Sequence, residues 1–447
     1  MAGTVSPSLE KIIECIEVGK SFILEAGAGS GKTWTLIESL KHILANKSMM
    51  LEKANQKIAC ITYTNVAKDQ IIERIENNPL VLVLTIHEFL WFVMKNNQKE
   101  LKEEIIKFNK ADIKKPIEDL EKKLQKATIE YSQYGRKFEN GKITHEDVLE
   151  FSSILFEKYP KIATIVANRF PYLFIDEYQD TEPRTIELLL DNLLARNTYR
   201  IVIGFFGDSM QKIYNQGVGK IPKKYIDDGN LTFITKTENF RCSKKVIDLL
   251  GKIRPDLIQL PAANNLDGAI SFIHCNNNLT DENTNYFKTL DFLKTKNEWK
   301  FDDSAKVLFL THKGIADKLG YEKLLETYGR LDFGRERLLN KEELFANFIL
   351  NKLELLLRFY QEKNYRDFLK LRGVEGFIIN SHEDKTKIRL LMDSLTQIRE
   401  DASVKNVLDF VFENGLLAKP VRIEEFEIEI GNPEPDESVE RRKQFYD

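Results

Sequence analysis

The stretch Ser21-Phe22-Ile23-Leu24-Glu25-Ala26-Gly27-Ala28-Gly29-Ser30-Gly31-Lys32-Thr33-Trp34 decides the fold. Phe22-Ile23-Leu24 reads as a buried strand, and Trp34 to Ala45 as a helix with Leu36, Ile37, Leu40, Ile43 and Leu44 on one face. Between them runs Ala26-Gly27-Ala28-Gly29-Ser30-Gly31-Lys32-Thr33, a glycine-rich turn that opens the helix. Strand, glycine-rich turn and helix in this order are the context a phosphate-binding loop requires. Glycines let backbone N–H groups turn toward phosphate oxygens, and the helix N-terminus adds partial positive charge. Lys32 then reaches the β- and γ-phosphates, and the Thr33 hydroxyl binds Mg²⁺. Ala26 holds the first position in place of Gly, one methyl group away from the strict pattern.

The alternation continues outward from this loop. Ile58 to Thr62 and Leu80 to Leu84 read as strands, with a helix at Val66 to Ile75 between them. Tyr172 to Ile175 and Arg200 to Phe206 are further strands, with helices at Glu182 to Ala195 and Ser243 to Ile253. Fully apolar strands separated by helices imply an α/β fold whose parallel sheet is covered on both faces. From Lys95 to Gly141 the chain is Lys/Glu-rich, with apolar positions at Ile105, Ile106, Leu120 and Leu124, and reads as exposed helices inserted into the sheet domain. After Arg254 the signal weakens. Ala269 to Ile273 and Lys306 to Leu310 read as strands of a second sheet, and Asn340 to Leu417 as almost wholly helical. The tail from Glu424 is acidic, then basic, with no clear core of its own.

At 447 residues and 52.0 kDa the chain has room for about three domains. Hydrophobic residues at 42% and charged ones at 30% fit a globular protein and exclude disorder or a fibre. The balance of 66 Lys+Arg against 69 Asp+Glu leaves -3, so any basic surface for a nucleic acid must be local. Cys15, Cys60, Cys242 and Cys275 lie far apart without a CxxC pair, which argues for free thiols over disulfides or zinc. The start lacks a signal-peptide pattern, and Leu80 to Met94 falls short of the ~18 apolar residues a membrane span needs. A cytoplasmic protein is the expectation.

A second chemical signal is Tyr172-Leu173-Phe174-Ile175-Asp176-Glu177. An apolar strand ending in two acids places Asp176 to help hold a Mg²⁺ bound by Thr33, and Glu177 to orient or deprotonate an attacking water. Acidic pairs at strand ends are usually solvated caps. Their pairing with the loop at Lys32 favours the catalytic role.

Asp176-Glu177-Tyr178-Gln179-Asp180-Thr181 resembles the DExQD box of UvrD/Rep-type superfamily 1 DNA helicases, and further boxes occur in that family's order. Thr62-Tyr63-Thr64-Asn65 with Ala67 resembles the segment that contacts single-stranded DNA, and Thr85-Ile86-His87 with Phe89 the next DNA-contacting box. Gly207-Asp208 with Gln211, Ile213 and Tyr214 resembles the box that links the ATP and DNA sites. Asn239-Phe240-Arg241-Cys242-Ser243 resembles the box with a base-stacking aromatic and an arginine finger. The match covers Ser6 to Arg254 and, more faintly, Lys306 to Thr311.

The resemblance implies a RecA-like P-loop sheet with helical insertions and a partial second motor domain. Residues 1–94 and 165–250 would form motor domain 1A, 95–164 insertion 1B, 251–335 part of domain 2A, and 336–447 part of insertion 2B. It implies ATP and Mg²⁺ as cofactors and single-stranded or partly duplex DNA as partner, with 3'-5' movement. In that family's scheme Glu177, Gln211 and Arg241 are catalytic, Gln211 sensing the γ-phosphate and Arg241 stabilising charge from across a cleft. Phe240 joins the phosphate loop in nucleotide binding, and Tyr63, Thr64, Asn65, Thr85 and His87 contact DNA. Each also admits a plainer role: Tyr63 as core, His87 as a capping or buried histidine, Arg241 as a surface ion pair.

The sequence departs from the family in three ways. Glu10 and Lys11 stand where an adenine-reading Gln is expected, so ATP selectivity does not follow from the resemblance. Asn215-Gln216-Gly217 replaces a Trp-Arg-Gly stretch whose Trp stacks on DNA. The last motifs, with a second arginine finger, have no equivalent before Asp447. The expectation is a truncated helicase, or a site completed by another chain, that alone hydrolyses ATP poorly. The short first insertion also resembles helicase subunits of anti-phage systems of the Gabija type, which act beside a nuclease. The competing class is a nucleotide-gated DNA-binding subunit without motor activity. An ABC/SMC-type ATPase is set aside because its signature needs a Gly-Gly pair and none occurs.

Overall fold

The computed structural model describes residues 6–111, 116–132, 136–274, 282–296, 305–329, 334–339, 343–372, 381–431, 439–440 and 443. Two compact units divide the chain, 1–274 and 275–447.

In the first unit, six strands form one parallel sheet: β1 (Ser21–Ala26), β2 (Ile58–Thr62), β3 (Val81–Thr85), β4 (Tyr172–Asp176), β5 (Val202–Gly207) and β6 (Leu231–Lys236). Their spatial order is β3-β2-β4-β5-β1-β6. Alternate residues of each strand enter different cores, as the period of two demands. Ile23, Ile61, Ile175 and Phe205 join one core. Phe22, Leu24, Cys60, Phe174 and Phe206 join the other, under helices α1 (Pro7–Val18) and α2 (Lys32–Lys53). Burial on both faces is why these strands read as unbroken apolar runs. Phe22, Phe174 and Phe206 meet edge to face at 5.5–5.9 Å. Each such buried ring contributes about 1.5–3 kcal/mol.

The strand β6 has no such run. Leu231 and Ile234 are buried, whereas Phe233 and Thr235 are exposed, because an edge strand is covered incompletely. Further helices of the unit include α3 (Asn65–Arg74), α4 (Ile86–Met94), α5 (Gln98–Ala111), α6 (Leu120–Lys126), α7 (His145–Lys158), α8 (Pro160–Arg169) and α9 (Lys244–Ile253). Of the helix expected at Glu182 to Ala195, Pro183–Glu187 is α-helical and Leu188–Leu194 is wound as π-helix.

Two expectations need correction. The helices of the Lys/Glu-rich insertion are not merely exposed: Leu101, Ile105, Leu120 and Leu124 are buried in the same core as Phe89 and Phe170, with Ile106 packed against it. Most of their charges cover the outer side of an apolar stripe, while Glu104 is buried and paired with Lys107 and Lys158. Nor do Ala269–Ile273 and Lys306–Leu310 form strands. A strand exists through its ladder partners, and among the described residues neither segment has one; Phe272, Leu308 and Leu310 stand almost fully exposed. A short pairing of Leu260–Pro261 with Glu238–Asn239 instead extends the first unit beyond Arg254.

The second unit, taken by itself, is helical among its described residues, as expected for 340–417. Its core gathers Phe345, Leu356, Met392, Leu395, Leu408, Val411 and Ile423. Among the described residues no helix is long and apolar enough to cross a membrane. Cys15, Cys60 and Cys242 are free thiols.

Candidate active site

All six strands run the same way, so their carboxyl ends share one edge of the sheet, the edge at which open parallel sheets bind ligands. Every candidate site residue closes or follows one of these strands. The phosphate loop and Lys32 follow β1, Tyr63 to Asn65 follow β2, and His87 follows β3. Glu177 follows β4, Asp208 and Gln211 follow β5, and Phe240 and Arg241 follow β6.

Within the loop, Gly29 and Gly31 adopt φ of 79° and 86°, which a side chain would resist. A Cβ on Gly29 would also lie 2.7 Å from Cys242 Sγ. Ser30 Oγ donates to Gly27 O at 2.7 Å and closes the turn. The loop then enters α2, presenting that helix's N-terminus with Lys32 at its first position and Thr33 half-buried beside it.

Lys32 Nζ donates to Glu177 Oε2 at 2.9 Å, and Gln179 Nε2 donates to the same oxygen at 2.8 Å. Glu177 occupies the left-handed region at φ 49°, a conformation that costs a non-glycine residue about 1–3 kcal/mol and that clusters at functional sites. Asp176 is almost completely buried, and its Oδ1 has no hydrogen-bond partner. Burial, then the neighbouring Glu177, pushes its carboxyl up to about 7, with Lys32 opposing. A buried carboxylate oxygen without a donor fits a cation. No cluster of three or more His, Cys, Asp or Glu among the described residues would hold an ion unaided. That donor set suits Mg²⁺, which takes one or two protein groups and completes its shell with water and phosphate. Thr33 and Asp176 are the groups that would hold it.

Gln179 ties the ends of β4 and β5 together, because its Oε1 accepts from Asp208 N at 3.1 Å. Asp208 Oδ2 in turn accepts from Gln211 Nε2 at 2.6 Å. Asn239 docks the segment after β6 onto the phosphate loop. Its Nδ2 donates to Ala28 O at 2.8 Å, and its Oδ1 accepts from the N–H groups of Arg241 and Cys242 at 3.1 and 3.0 Å. Phe240 N adds a bond to Gly29 O at 3.3 Å, and the Phe240 ring is 58% exposed, open to a planar ligand. Arg241 therefore does not stand across a cleft between domains. It lies in the same compact unit as the loop, because β6 pairs with β1 as far as Lys236 opposite Ala26.

On the β2–β3 side, Thr64 and Thr85 are helix caps. Thr64 Oγ1 accepts from Ala67 N at 3.2 Å, and Thr85 forms a capping box with Glu88. Asn65 opens α3. Tyr63 is no core residue: it is half-exposed and its ring lies 4.7 Å from that of Tyr214. His87 packs edge-on against His145 at 4.5 Å, and burial with that neighbour lowers its pKa to about 4. It is neutral at physiological pH and can offer one N–H but no charge.

Gln179, Asp180, Asn239 and Tyr214 appear in the quoted boxes without an assigned role, and the structure gives each a partner. Asp180 Oδ1 accepts from the N–H groups of Ile213 and Tyr214 at 2.9 and 3.3 Å, which fixes the loop carrying the second tyrosine.

Comparison with known proteins bears out the class defined by this edge. Residues 10–217 match an AAA domain family. The Gabija protein GajB of Bacillus cereus (strain HuB5-5) is 28% identical over 422 residues, covering 73% of this chain and 60% of that protein. The ATP-dependent DNA helicase PcrA of Staphylococcus aureus (strain Mu50) is 24% identical over 283 residues, covering 52% of this chain and 37% of that protein. A crystal structure of Pif1 helicase from Candida albicans aligns with 15% identity and a TM-score of 0.32, covering 56% of this chain and 44% of that one, a likeness too slight to add to the fold described above. Over part of its length the chain is similar to these helicase-family proteins, and it spans 60% of the length of GajB and 37% of that of PcrA.

Proposed function

We propose that this chain carries the motor of an ATP-dependent DNA helicase or translocase of the UvrD/Rep type, moving 3'-5' on single-stranded DNA. The observation that carries the proposal is the meeting at one sheet edge of the Lys32–Glu177 contact, the orphaned Asp176 oxygen and the Tyr63–Tyr214 pair. A bound Mg²⁺ would neutralise phosphate charge and hold the triphosphate in line.

The chain's own residues supply the rest. Lys32 now neutralises Glu177. When it turns to a phosphate, Glu177 Oε2 keeps its bond from Gln179 and becomes free to accept a proton from water. Gln211 uses one N–H on Asp208 and leaves its carbonyl oxygen for the water or its second N–H for a phosphate. Arg241 is exposed beside the loop and able to meet developing charge. Tyr63 and Tyr214 offer a stacking face in the place of the missing Trp, worth about 1–3 kcal/mol per base. The helix N-termini behind Thr64 and Thr85 suit backbone phosphates. Phe240 stacks the nucleotide base.

In this reading residues 1–94 and 165–250 form motor domain 1A, 95–164 form 1B and 336–447 part of 2B; of the segment expected as part of 2A, 251–274 belongs with the first compact unit, which leaves 275–335. The Gabija-type resemblance of the motifs, with the likeness to GajB beside it, supports a role in repair or anti-phage defence, with a nuclease or other protein subunit as partner. The test is ATP hydrolysis by the full-length protein with and without single-stranded DNA. A clear rise supports the motor. Nucleotide-dependent DNA binding with no rise would refute it and favour the gated binding subunit, a reading supported by segments 269–273 and 306–310, which have no ladder partner among the described residues.

A further inference from the structure

Beneath the loop that carries Gln211 lies a buried ionic network that the chemistry above does not use. Arg254 caps the end of α9 with its side chain 8% exposed. Its Nη1 donates to Asp208 Oδ1 and its Nη2 to Glu25 Oε1, with Ser209 Oγ 3.3 Å from Nη2 and Asp256 Oδ1 3.5 Å from Nε. Glu25 is the last residue but one of β1, directly before the phosphate loop. Its Oε1 also accepts from Ser209 N at 2.9 Å and Ser209 Oγ at 2.6 Å, and its Oε2 from the Tyr178 hydroxyl at 2.6 Å. One guanidinium thus spans the ends of β1 and β5. The carboxylate it grips at β5, Asp208, is the one that holds Gln211. An unpaired charge buried at this depth would be strongly unfavourable, so the three ionised groups hold one another in place.

We propose that Arg254 is a positioning residue for hydrolysis, a latch that sets Gln211 through Asp208 and ties that setting to the stem of the phosphate loop through Glu25. The fork geometry is essential to this role. Two carboxylates at the ends of different strands are met by two separate N–H groups of a planar cation, which the point charge of a lysine cannot reproduce. Since α9 follows directly on Phe240 and Arg241, the latch also anchors the far end of the segment that carries them. The inference rests on Gln211 acting at the γ-phosphate.

The experiment is a double-mutant cycle in the full-length protein, Arg254→Lys against Gln211→Ala, read as DNA-stimulated turnover and as KM for ATP. Alongside it, amide hydrogen exchange of residues 208–214 is measured without nucleotide. Arg254→Lys is expected to lower kcat roughly 10- to 100-fold, the cost of misplacing a catalytic group, with KM within about twofold. Exchange at Ser209 and Met210 is expected to rise, and adding Arg254→Lys to Gln211→Ala should cause no further loss. Multiplying losses in the double variant, a rise in KM that accounts for the defect, or unchanged exchange would each overturn the latch. If Arg254→Lys does not fold, the charge-neutral pair Glu25→Gln with Arg254→Gln enters the same cycle. Wild-type protein without DNA-stimulated hydrolysis would sink the motor reading, while the exchange measurement still decides whether Arg254 holds the loop.

Discussion

Replacing Asp176 with asparagine is expected to stabilise the nucleotide-free protein relative to wild type as the pH rises. In the fold the Asp176 carboxyl titrates near 7 against an ordinary value of 3.8, because it is buried beside Glu177 and its Oδ1 lacks a donor. Between those two values the folded state keeps a proton that the unfolded state has released. Stability therefore falls as pH climbs through the window, and the contribution of the neutral acid, complete below the lower value, is lost by the upper one. Each unit corresponds to about 1.36 kcal/mol, so from about pH 5 to about pH 8 the wild type loses at most about 2–3 kcal/mol from this group. Asparagine keeps the shape and does not titrate. Urea midpoints for both proteins, taken in chelator across that range, yield a difference curve in which other titrating groups cancel. The difference should grow by up to that amount in favour of Asp176→Asn. It should shrink when Mg²⁺ and a non-hydrolysable triphosphate are added, since only the wild type gains a cation partner. A difference that stays flat with pH would refute the claim that Asp176 is held in a cation-seeking state.

Glu177→Gln is expected to preserve nucleotide binding, since the amide oxygen still accepts from Lys32 and Gln179, while slowing turnover roughly 10²- to 10⁴-fold as a lost general base; unchanged turnover would remove Glu177 from the chemistry. Arg241→Ala should cut turnover by about 10³-fold or more without altering the melting temperature, because its guanidinium is exposed and has no ion pair among the described residues. A matching loss of stability would mark it as structural. Tyr214→Ala should weaken single-strand binding by about 1–3 kcal/mol, with Tyr63→Ala adding less than its own separate effect, since the rings form one platform. Fluorescence anisotropy with a labelled oligonucleotide measures both, and equal, additive losses would count against a shared stack.

Most of the first unit was legible in the chain because its strands are buried on both faces and announce themselves as apolar runs. Phe22 to Leu24, Ile58 to Thr62 and Tyr172 to Ile175 all lie in observed strands. The loop at Lys32 and the acids at 176 and 177 were legible for another reason: phosphate and cation chemistry demands particular residue types at fixed offsets. The strand β6 was not, because an edge carries a mixed face, and Phe233 looks outward where a core strand would have turned inward. Nor could an apolar run at Ala269 or Lys306 show that it lacks a ladder partner among the described residues, since pairing is a property of two segments and not of one.

The sequence by itself therefore determined the parallel α/β sheet and the identity of the groups at its carboxyl edge, since burial and phosphate chemistry act through local residue types. Only the tertiary structure decided that Lys32 rests on Glu177, that Tyr214 stacks on Tyr63, and that Arg254 joins Glu25 to Asp208. Those contacts span separations of up to 229 residues, and a hydrogen bond or ion pair depends on where two groups come to lie in space. No spacing along the chain encodes that meeting; the packing of six strands side by side does.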